Sequence, residues 1–198
     1  ALPILARAPA APVKTDGPDI ADVVTRAIAG LSDRKVQFTY ADVLARKMAY
    51  VNTHFDKPPY LDILQPAPQY LGVHDVVLST DVLEHVLAPV QKAFDHLLAL
   101  LKPGGWLVFS VPYTTEAHTR EHYPGMVDFE VRQTESGPVV HWRDAAGGQH
   151  LDRQPVFHGG EGATLELRVF GRAGVLAHLA QAGFVNVQEL NTPRLGCG

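Results

Sequence analysis

The sequence is poor in cysteine and contains no long apolar run. Its one cysteine, Cys197, excludes an internal disulfide and a cysteine-based metal site. No stretch approaches the roughly twenty apolar residues that a membrane-spanning helix needs. The opening segment is too short and too interrupted by proline to be the core of a signal peptide. We therefore expect a cytoplasmic protein.

Runs of basic residues are absent as well. The formal net charge of the 198 residues is -4, and lysine and arginine are scattered along the chain. The sequence therefore gives no electrostatic reason to expect a nucleic acid as partner. Apolar residues make up 46% of the chain and charged residues 19%, which is the balance of a globular domain. These values favour one domain that acts on a small molecule, and neither a membrane nor a nucleic acid is expected as partner.

The middle of the chain has the pattern of a strand, a helix and a second strand. Asp75–Ser79 is a short β-branched run typical of a buried strand, and it ends at the polar Thr80-Asp81. Apolar residues then recur at helical spacing until Lys102-Pro-Gly-Gly105, and Trp106–Val111 forms a second apolar run. A helix between two such strands predicts a parallel βαβ unit, whose ligands bind at the carboxyl ends of the strands.

These residues also resemble a known family. Asp75-Val-Val-Leu-Ser-Thr-Asp-Val-Leu-Glu-His-Val86, followed after one helix by Leu100-Leu-Lys-Pro-Gly-Gly-Trp-Leu-Val-Phe-Ser-Val-Pro112, resembles strands four and five of class I S-adenosylmethionine-dependent methyltransferases, of the type 11 kind. The resemblance implies an α/β fold with a Rossmann-like, doubly wound, mostly parallel sheet and an antiparallel last strand. It further implies S-adenosylmethionine as cofactor and methyl transfer to a small-molecule acceptor.

One stretch departs from the family pattern. The family places a glycine-rich loop after its first strand, whereas residues 36–48 of this chain contain no glycine. A Cβ at every position limits the close approach of the backbone to a ligand. Three explanations stay open. The chain starts downstream of the true first strand, the loop binds the cofactor in a variant way through Tyr40 or Asp42, or the domain has lost the cofactor.

The domain boundaries follow from composition. Residues 1–18 are rich in alanine and proline and predict a flexible arm, and residues 19–198 predict a single methyltransferase-like domain. That domain begins with a helix over residues 19–30, and residues 49–53 and 60–64 are its predicted second and third strands. The thin N-terminal half leaves room for a homodimer partner over part of the sheet.

A long insertion follows the second buried strand. Residues 114 to about 163 include a predicted β-hairpin over residues 137–150, and the insertion would lie as a lid above the carboxyl edge of the sheet. The tail returns to the family pattern. We predict a strand over residues 164–170, a helix over 172–182 and a closing strand over 184–190.

Methyl transfer needs an aligned nucleophile and, for oxygen or nitrogen acceptors, a base that removes a proton. His85, just after the strand, and His122, in the lid, are the candidate bases. His85 would alternatively bind backbone at a helix start, and Asp62 and Asp81 would alternatively cap a turn or a helix. The candidate cofactor contacts are Tyr40, Asp62, Ile63, Thr80, Asp81 and Val82. The candidate substrate contacts are Glu84, Tyr113 and His158.

Two other functions compete with methyl transfer. The glycine-free stretch supports a non-catalytic, methyltransferase-like binding domain. His118, Glu121 and His122, joined by His158 and Glu161, suggest a metal-binding protein or metal-dependent hydrolase. The first of these segments lacks the apolar periodicity of a helix, so we assign no metal ligand. Protease and esterase functions are not expected, because neither a His-Glu-x-x-His nor a Gly-x-Ser-x-Gly motif is present.

Overall fold

The computed structural model describes residues 4–10, 49–158 and 164–189. Several predictions lie outside these ranges. They include the helix over residues 19–30, the glycine-free stretch with Tyr40 and Asp42, and Glu161.

The largest sheet has four strands, in the order β12 (Val185–Glu189), β1 (Ile4–Arg7), β3 (Leu101–Ser110) and β2 (His74–Thr80). The predicted strand, helix and strand are all present as β2 (His74–Thr80), α1 (Gln91–Leu100) and β3 (Leu101–Ser110). β2 and β3 pair in parallel, as the βαβ pattern predicted. β1 (Ile4–Arg7) runs antiparallel to both β3 and β12 (Val185–Glu189). The result is a mixed α/β architecture with parallel and antiparallel pairing.

The start of the chain differs from its prediction as part of a flexible arm. Ile4, Leu5 and Ala6 are buried within the sheet, and the amide of Ala8 donates to the carbonyl of Gly105 at 2.9 Å. The prolines on either side of this short apolar run made it resemble a linker in the sequence. Its side chains pack on both faces of the sheet. β1 therefore supplies the strand that is antiparallel to β2 and β3. The closing strand β12 pairs antiparallel with β1 but runs in the same direction as β2 and β3, so the antiparallel strand of the sheet is the first one and not the last one that was predicted.

The helix after β2 begins later than its apolar periodicity suggested. A single 3₁₀ turn, Leu83–His85, follows the strand, Val86 is extended, and α1 starts only at Gln91. Pro89 disfavours a helical conformation at the preceding residue, which explains the interruption. The carbonyls of Glu84 and Val86 then bind groups from elsewhere in the fold.

The predicted second and third strands are absent. Between residues 49 and 64 the structure forms one isolated bridge, between His54 and Tyr60. Asp62 accepts a 2.8 Å hydrogen bond from the amide of Leu64, which is the alternative role as a turn aspartate. The adjacent Pro58 and Pro59 have no backbone N–H with which to extend a ladder.

The lid contains a three-stranded antiparallel sheet, β6 (Met126–Thr134), β7 (Gly137–Asp144) and β8 (Gln149–Asp152). The predicted hairpin joins β7 to β8, with Gly147 at φ +87° in its turn. β6 was not predicted, although Val127, Phe129 and Val131 alternate with charged residues as in a strand that has one apolar face. One face of this sheet helps to enclose a second, smaller core made of Tyr123, Met126, Val140, Leu165 and Leu167.

Short strands link the lid to the main sheet. They are β4 (Tyr113–Thr114), β5 (Arg120–Glu121), β9 (Phe157–His158), β10 (Thr164–Leu165) and β11 (Arg168–Gly171). The strand predicted over residues 164–170 is thus divided between β10 and β11. β11 pairs with β4 and β5, and β9 pairs with β10. The predicted last helix is α2 (Arg172–Ala182), which ends at Gly183 with φ +102°.

The main core lies between α1, α2 and the four-stranded sheet. Phe94 of α1 is fully buried and contacts both Phe109 of β3 and Phe170 of β11, with ring centroids 5.5 and 6.2 Å apart. Neither α1 nor α2, nor any other helix in the described ranges, has the length and apolar character needed to cross a bilayer. The core holds the carboxyl ends of β2 and β3 beside the lid.

Candidate functional site

The carboxyl ends of β2 and β3 meet at Asp81 and Ser110. The Asp81 amide donates to the Ser110 carbonyl at 2.9 Å, and the Ser110 hydroxyl donates to Asp81 Oδ1 at 3.3 Å. Asp81 has φ +53°, in the left-handed region that residues with a Cβ seldom adopt. Strained residues of this kind concentrate at functional sites, where the surrounding structure holds them in place. The strand end is therefore a fixed polar edge.

The 3₁₀ turn after this edge is held by the segment that joins β10 to β11. His85 Nδ1 donates to the Leu165 carbonyl at 2.8 Å, and the Leu167 amide donates to the Glu84 carbonyl, also at 2.8 Å. These two bonds fix the backbone and the imidazole orientation of the turn. Glu84 and His85 are therefore positioned by residues far away in the sequence.

Arg168 of β11 adds a third connection to the turn. Its side chain is 1% exposed, and its Nη1 donates to the carbonyls of Leu83 at 2.8 Å and Val86 at 2.5 Å. Its Nε donates to Glu121 Oε1 at 2.8 Å. A buried guanidinium needs such partners, and here it binds the Val86 carbonyl together with the Leu83 carbonyl, which also accepts a 3.3 Å hydrogen bond from the Val86 amide. Arg168 is thus a positioning residue for the site.

Glu84 is the most unusual side chain of the site. It is 0% exposed, and neither of its carboxyl oxygens has a hydrogen-bond partner among the residues that the structure describes. Burial raises its pKa to about 7, and the negative charges of Asp81 and Glu166 act in the same direction. The nearby backbone N–H of Glu84 itself and the charge of Arg168 oppose this rise.

Two imidazoles face the Glu84 carboxyl group. His85 Nε2 lies 3.6 Å and His158 Nδ1 lies 3.4 Å from Glu84 Oε1. The two rings meet edge to face, with centroids 5.7 Å apart. Because Nδ1 of His85 donates to a carbonyl, Nε2 carries the lone pair of the neutral ring. Burial lowers the pKa of His85, which favours this neutral form.

A histidine and a glutamate complete the cluster. His122 Nε2 lies 3.0 Å from Glu166 Oε1, and His158 Nδ1 lies 3.8 Å from Glu166 Oε2. We call Glu84, His85, His122, His158 and Glu166 the histidine–glutamate cluster. It joins the 3₁₀ turn after β2 to three segments of the lid region, at the carboxyl edge where α/β sheets bind ligands.

Four of the predicted site residues meet in this cluster: Glu84, His85, His122 and His158. Thr80 and Asp81 lie at the strand end that precedes it, and Val82 is 41% exposed. Glu166 was missed, because it was assigned to an alternating strand. Arg168 was missed for the same reason, although an arginine within a largely apolar run was a signal for a buried charge.

Three other predicted residues lie apart from the cluster. Tyr113 is beside the ion pair of Arg172 and Glu189, and burial and that carboxylate raise the pKa of its hydroxyl. Ile63 accepts a 2.8 Å hydrogen bond from His96 in α1. No hydrogen bond, ion pair or ring contact within the described ranges joins Asp62, Ile63 or Tyr113 to the cluster. Tyr40 lies outside those ranges.

Comparison with known proteins identifies a family. A family model described as a methyltransferase domain matches residues 13–154, which is most of the chain. Two sequences named multifunctional conjugation protein TraI, from Escherichia coli strain K12 and from Escherichia coli, are 71% identical over 35 residues, which is 18% of this chain. The chain spans 2% of the length of those relatives, so they say nothing about its activity. Since the family model covers more than half of the sequence, this chain belongs to the methyltransferase domain family, as its resemblance to class I S-adenosylmethionine-dependent methyltransferases predicted.

Proposed function

We propose that this protein transfers a methyl group from S-adenosylmethionine to a small-molecule acceptor. Methyltransferase domains generally use this cofactor. When bound, it supplies an electrophilic methyl group on a sulfonium. A Rossmann-like arrangement of the sheet, of which the parallel pair β2 and β3 is the part described, belongs to the same proposal.

The polar edge at the end of β2 suits the cofactor. Asp81 offers a carboxylate that is fixed by Ser110, and such a group accepts hydrogen bonds from amino or hydroxyl groups of a ligand. Thr80 and Val82 flank it on the strand end and on the turn. We therefore assign these three residues to cofactor binding, by their position at the carboxyl end of the parallel strands.

The observation that supports the chemistry best is the pairing of His122 with Glu166. In the neutral ring, the Nε2–H group donates a hydrogen bond to the Glu166 carboxylate, so Nδ1 carries the lone pair. With the cofactor bound, Nδ1 would take the proton that an acceptor hydroxyl or amine loses when the methyl group leaves sulfur and bonds to the acceptor oxygen or nitrogen. Glu166 stabilises the imidazolium that results.

His85 is the second candidate base. Its Nε2 has a lone pair, and the ring is held by Leu165. Burial lowers the pKa of His85, which makes it a weaker proton acceptor than an ordinary imidazole. We therefore favour His122, which has a carboxylate partner, as the base, and we assign Glu84 and His158 to the side of the cluster that receives the substrate.

Isothermal titration with S-adenosylmethionine and with S-adenosylhomocysteine tests the cofactor assignment. We expect micromolar binding, about -8 kcal/mol, and at least about a tenfold loss in Asp81→Ala because a polar contact is removed. His150→Asn, in the distal hairpin of the lid, is the matched control. An absence of both heat and thermal shift at millimolar ligand would contradict the proposal and favour a non-catalytic binding domain.

Formation of S-adenosylhomocysteine over a panel of small hydroxyl and amine acceptors tests the base. For an acceptor that reacts, His122→Asn should lower the rate by about 10²-fold or more and leave cofactor binding unchanged. Glu166→Gln should lower the rate by a smaller factor than His122→Asn does. Equal rates for wild type and His122→Asn would transfer the role of base to His85.

The setting of the reaction is part of the proposal. The single cysteine and the absence of basic runs support a cytoplasmic enzyme with a small-molecule substrate. A homodimer would cover part of the sheet. Light scattering on the purified chain measures the oligomeric state directly.

A further inference from the structure

We propose that Glu84, His85 and His158 bind a divalent transition-metal ion, with Zn²⁺ as the reference ion. The inference is drawn from side-chain geometry and does not depend on which methyl donor or acceptor the protein uses. It assigns a cation to the centre of the histidine–glutamate cluster.

The unpartnered carboxyl group of Glu84 is the first reason. Buried polar atoms nearly always have a hydrogen-bond partner, and a buried carboxylate without one is costly. Glu84 is 0% exposed, and both of its oxygens lack a partner among the described residues. A bound cation would supply the missing interaction.

The spacing of the donor atoms is the second reason. One donor atom from each of the three side chains lies within 4.8 Å of the others. Glu84 Oε1 is 3.6 Å from His85 Nε2 and 3.4 Å from His158 Nδ1. A tetrahedral ion with bonds of about 2.0–2.1 Å separates its ligand atoms by about 3.4 Å. These two separations therefore match those that a single small cation requires.

The orientation of His85 is the third reason. A histidine that binds a metal usually donates its other ring N–H to a carbonyl or carboxylate, which fixes the tautomer. His85 makes such a bond from Nδ1 to Leu165, and its unprotonated Nε2 faces Glu84. The ring is thus oriented as a ligand before any ion binds.

The chemistry of the donors indicates the class of ion. Two imidazole nitrogens and one carboxylate suit Zn²⁺ and similar first-row ions, whereas Mg²⁺ and Ca²⁺ prefer oxygen ligands. Glu166 lies beside the site, with Oε2 3.8 Å from His158 Nδ1, and adds a second negative charge. Three protein ligands leave a position for water or for an oxygen of the acceptor, and the 37% exposure of the His158 side chain gives access to it.

This site differs from the metal hypothesis that the sequence suggested. His118 is exposed, and Glu161 lies outside the described ranges. His122 pairs with Glu166. His158 is the one residue that both ligand sets contain.

The test is metal titration of the whole chain after removal of metals with a chelator, without any methyl donor. We expect one equivalent of Zn²⁺ by calorimetry, with a rise in melting temperature, and Co²⁺ should give the visible absorption of a four-coordinate site. His158→Ala and Glu84→Gln should each weaken Zn²⁺ binding by at least about tenfold. Mg²⁺ should bind far more weakly than Zn²⁺.

His150→Ala is the matched control, because it removes an imidazole from another His–carboxylate pair, with Asp144, in the lid. It should keep the wild-type affinity at the cluster. His158 is partly exposed, so His158→Ala remains informative if Glu84→Gln does not fold. The proposal is overturned if wild type binds no Zn²⁺ at millimolar concentration, or if His158→Ala binds it as tightly as wild type. A negative result in the Zn²⁺ titration does not change the outcome of the cofactor titration. The failure of one proposal can therefore be distinguished from the failure of the other.

Discussion

His178, a half-buried residue that packs on the main core away from the histidine–glutamate cluster, links stability to pH. Its ring stacks on Phe94 at 4.9 Å and meets Phe170 at 6.4 Å, and its Nδ1 donates to Gln91 Oε1 at 2.7 Å. Burial lowers its pKa below the ordinary 6.5, with Arg168 acting in the same direction and Asp95 and Glu121 opposing. The folded state therefore holds this imidazole neutral at a pH where the unfolded chain has begun to bind a proton.

The sign of the effect follows from proton binding. As pH falls below 6.5, the unfolded state gains a proton at His178 before the folded state does, so stability is lost with acidification. Between about pH 7.5 and 5, we expect the free energy of unfolding, measured by urea titration, to fall less in His178→Phe than in wild type. The difference should be up to about 1.4 kcal/mol per unit of pKa difference. The exposed His118→Gln is the control for loss of one histidine. Identical pH profiles for wild type and His178→Phe would refute the assignment.

The sequence predicted those residues of the site that belong to segments chosen from the family resemblance. Glu84 and His85 belong to the stretch that resembles the family, and His158 was chosen for its place in the lid. Glu166 and Arg168 were not predicted, because an alternating sequence does not show that the chain divides between two strands there. A contact between residues about eighty positions apart, such as His85 with Leu165, has no local signal.

Arg168 makes the connection between elements that holds the 3₁₀ turn in place. Arg168→Met removes donors from the Leu83 and Val86 carbonyls and from Glu121, and we expect a loss of about 2–4 kcal/mol in the free energy of unfolding. Arg132→Met is the matched control, because its pair with Glu130 is exposed on the surface, where ion pairs contribute little to stability. Urea unfolding measures both. A similar small loss in the two variants would show that Arg168 does not hold the turn.

At the scale of elements, patterns of period two and of helical spacing succeeded where the chain is regular. β2, the hairpin between β7 and β8, and α2 with its glycine at the end were all predicted. The helix start was misplaced because Leu83 remains buried in the same core as α1, although Pro89 breaks the helix between them. Residues 60–64 have the composition of a strand, but the hydrogen bonds around Asp62 form a turn.

The order of strands in the main sheet is a property of the whole molecule. Ile4 is 2% exposed and pairs with both Phe109 and Glu189. Ile4→Ala should lower the free energy of unfolding by about 2–4 kcal/mol, as truncation of a buried side chain does. Val127→Ala, at a position 44% exposed, is the control and should change it by less than about 0.5 kcal/mol. An equal and small effect of the two substitutions in urea unfolding would mean that residues 4–7 behave as an arm.

The sequence supported the α/β class and the family, and the position of β1 required the structure. Four residues are too short for a periodicity, and the alanines and prolines around them are typical of a linker. What identifies β1 as a strand is the partner on each side, and both partners are distant in sequence.

That placement has a consequence for synthesis of the chain on the ribosome. β1 is made before both of its partners: β3 follows roughly a hundred residues later and β12 roughly 180 residues later. Until then, a short apolar strand with two unpaired edges has nothing to pair with, and such edges invite association with other chains. We therefore expect the sheet to close late, with the nascent chain relying on chaperones or on rapid elongation to reach its native form.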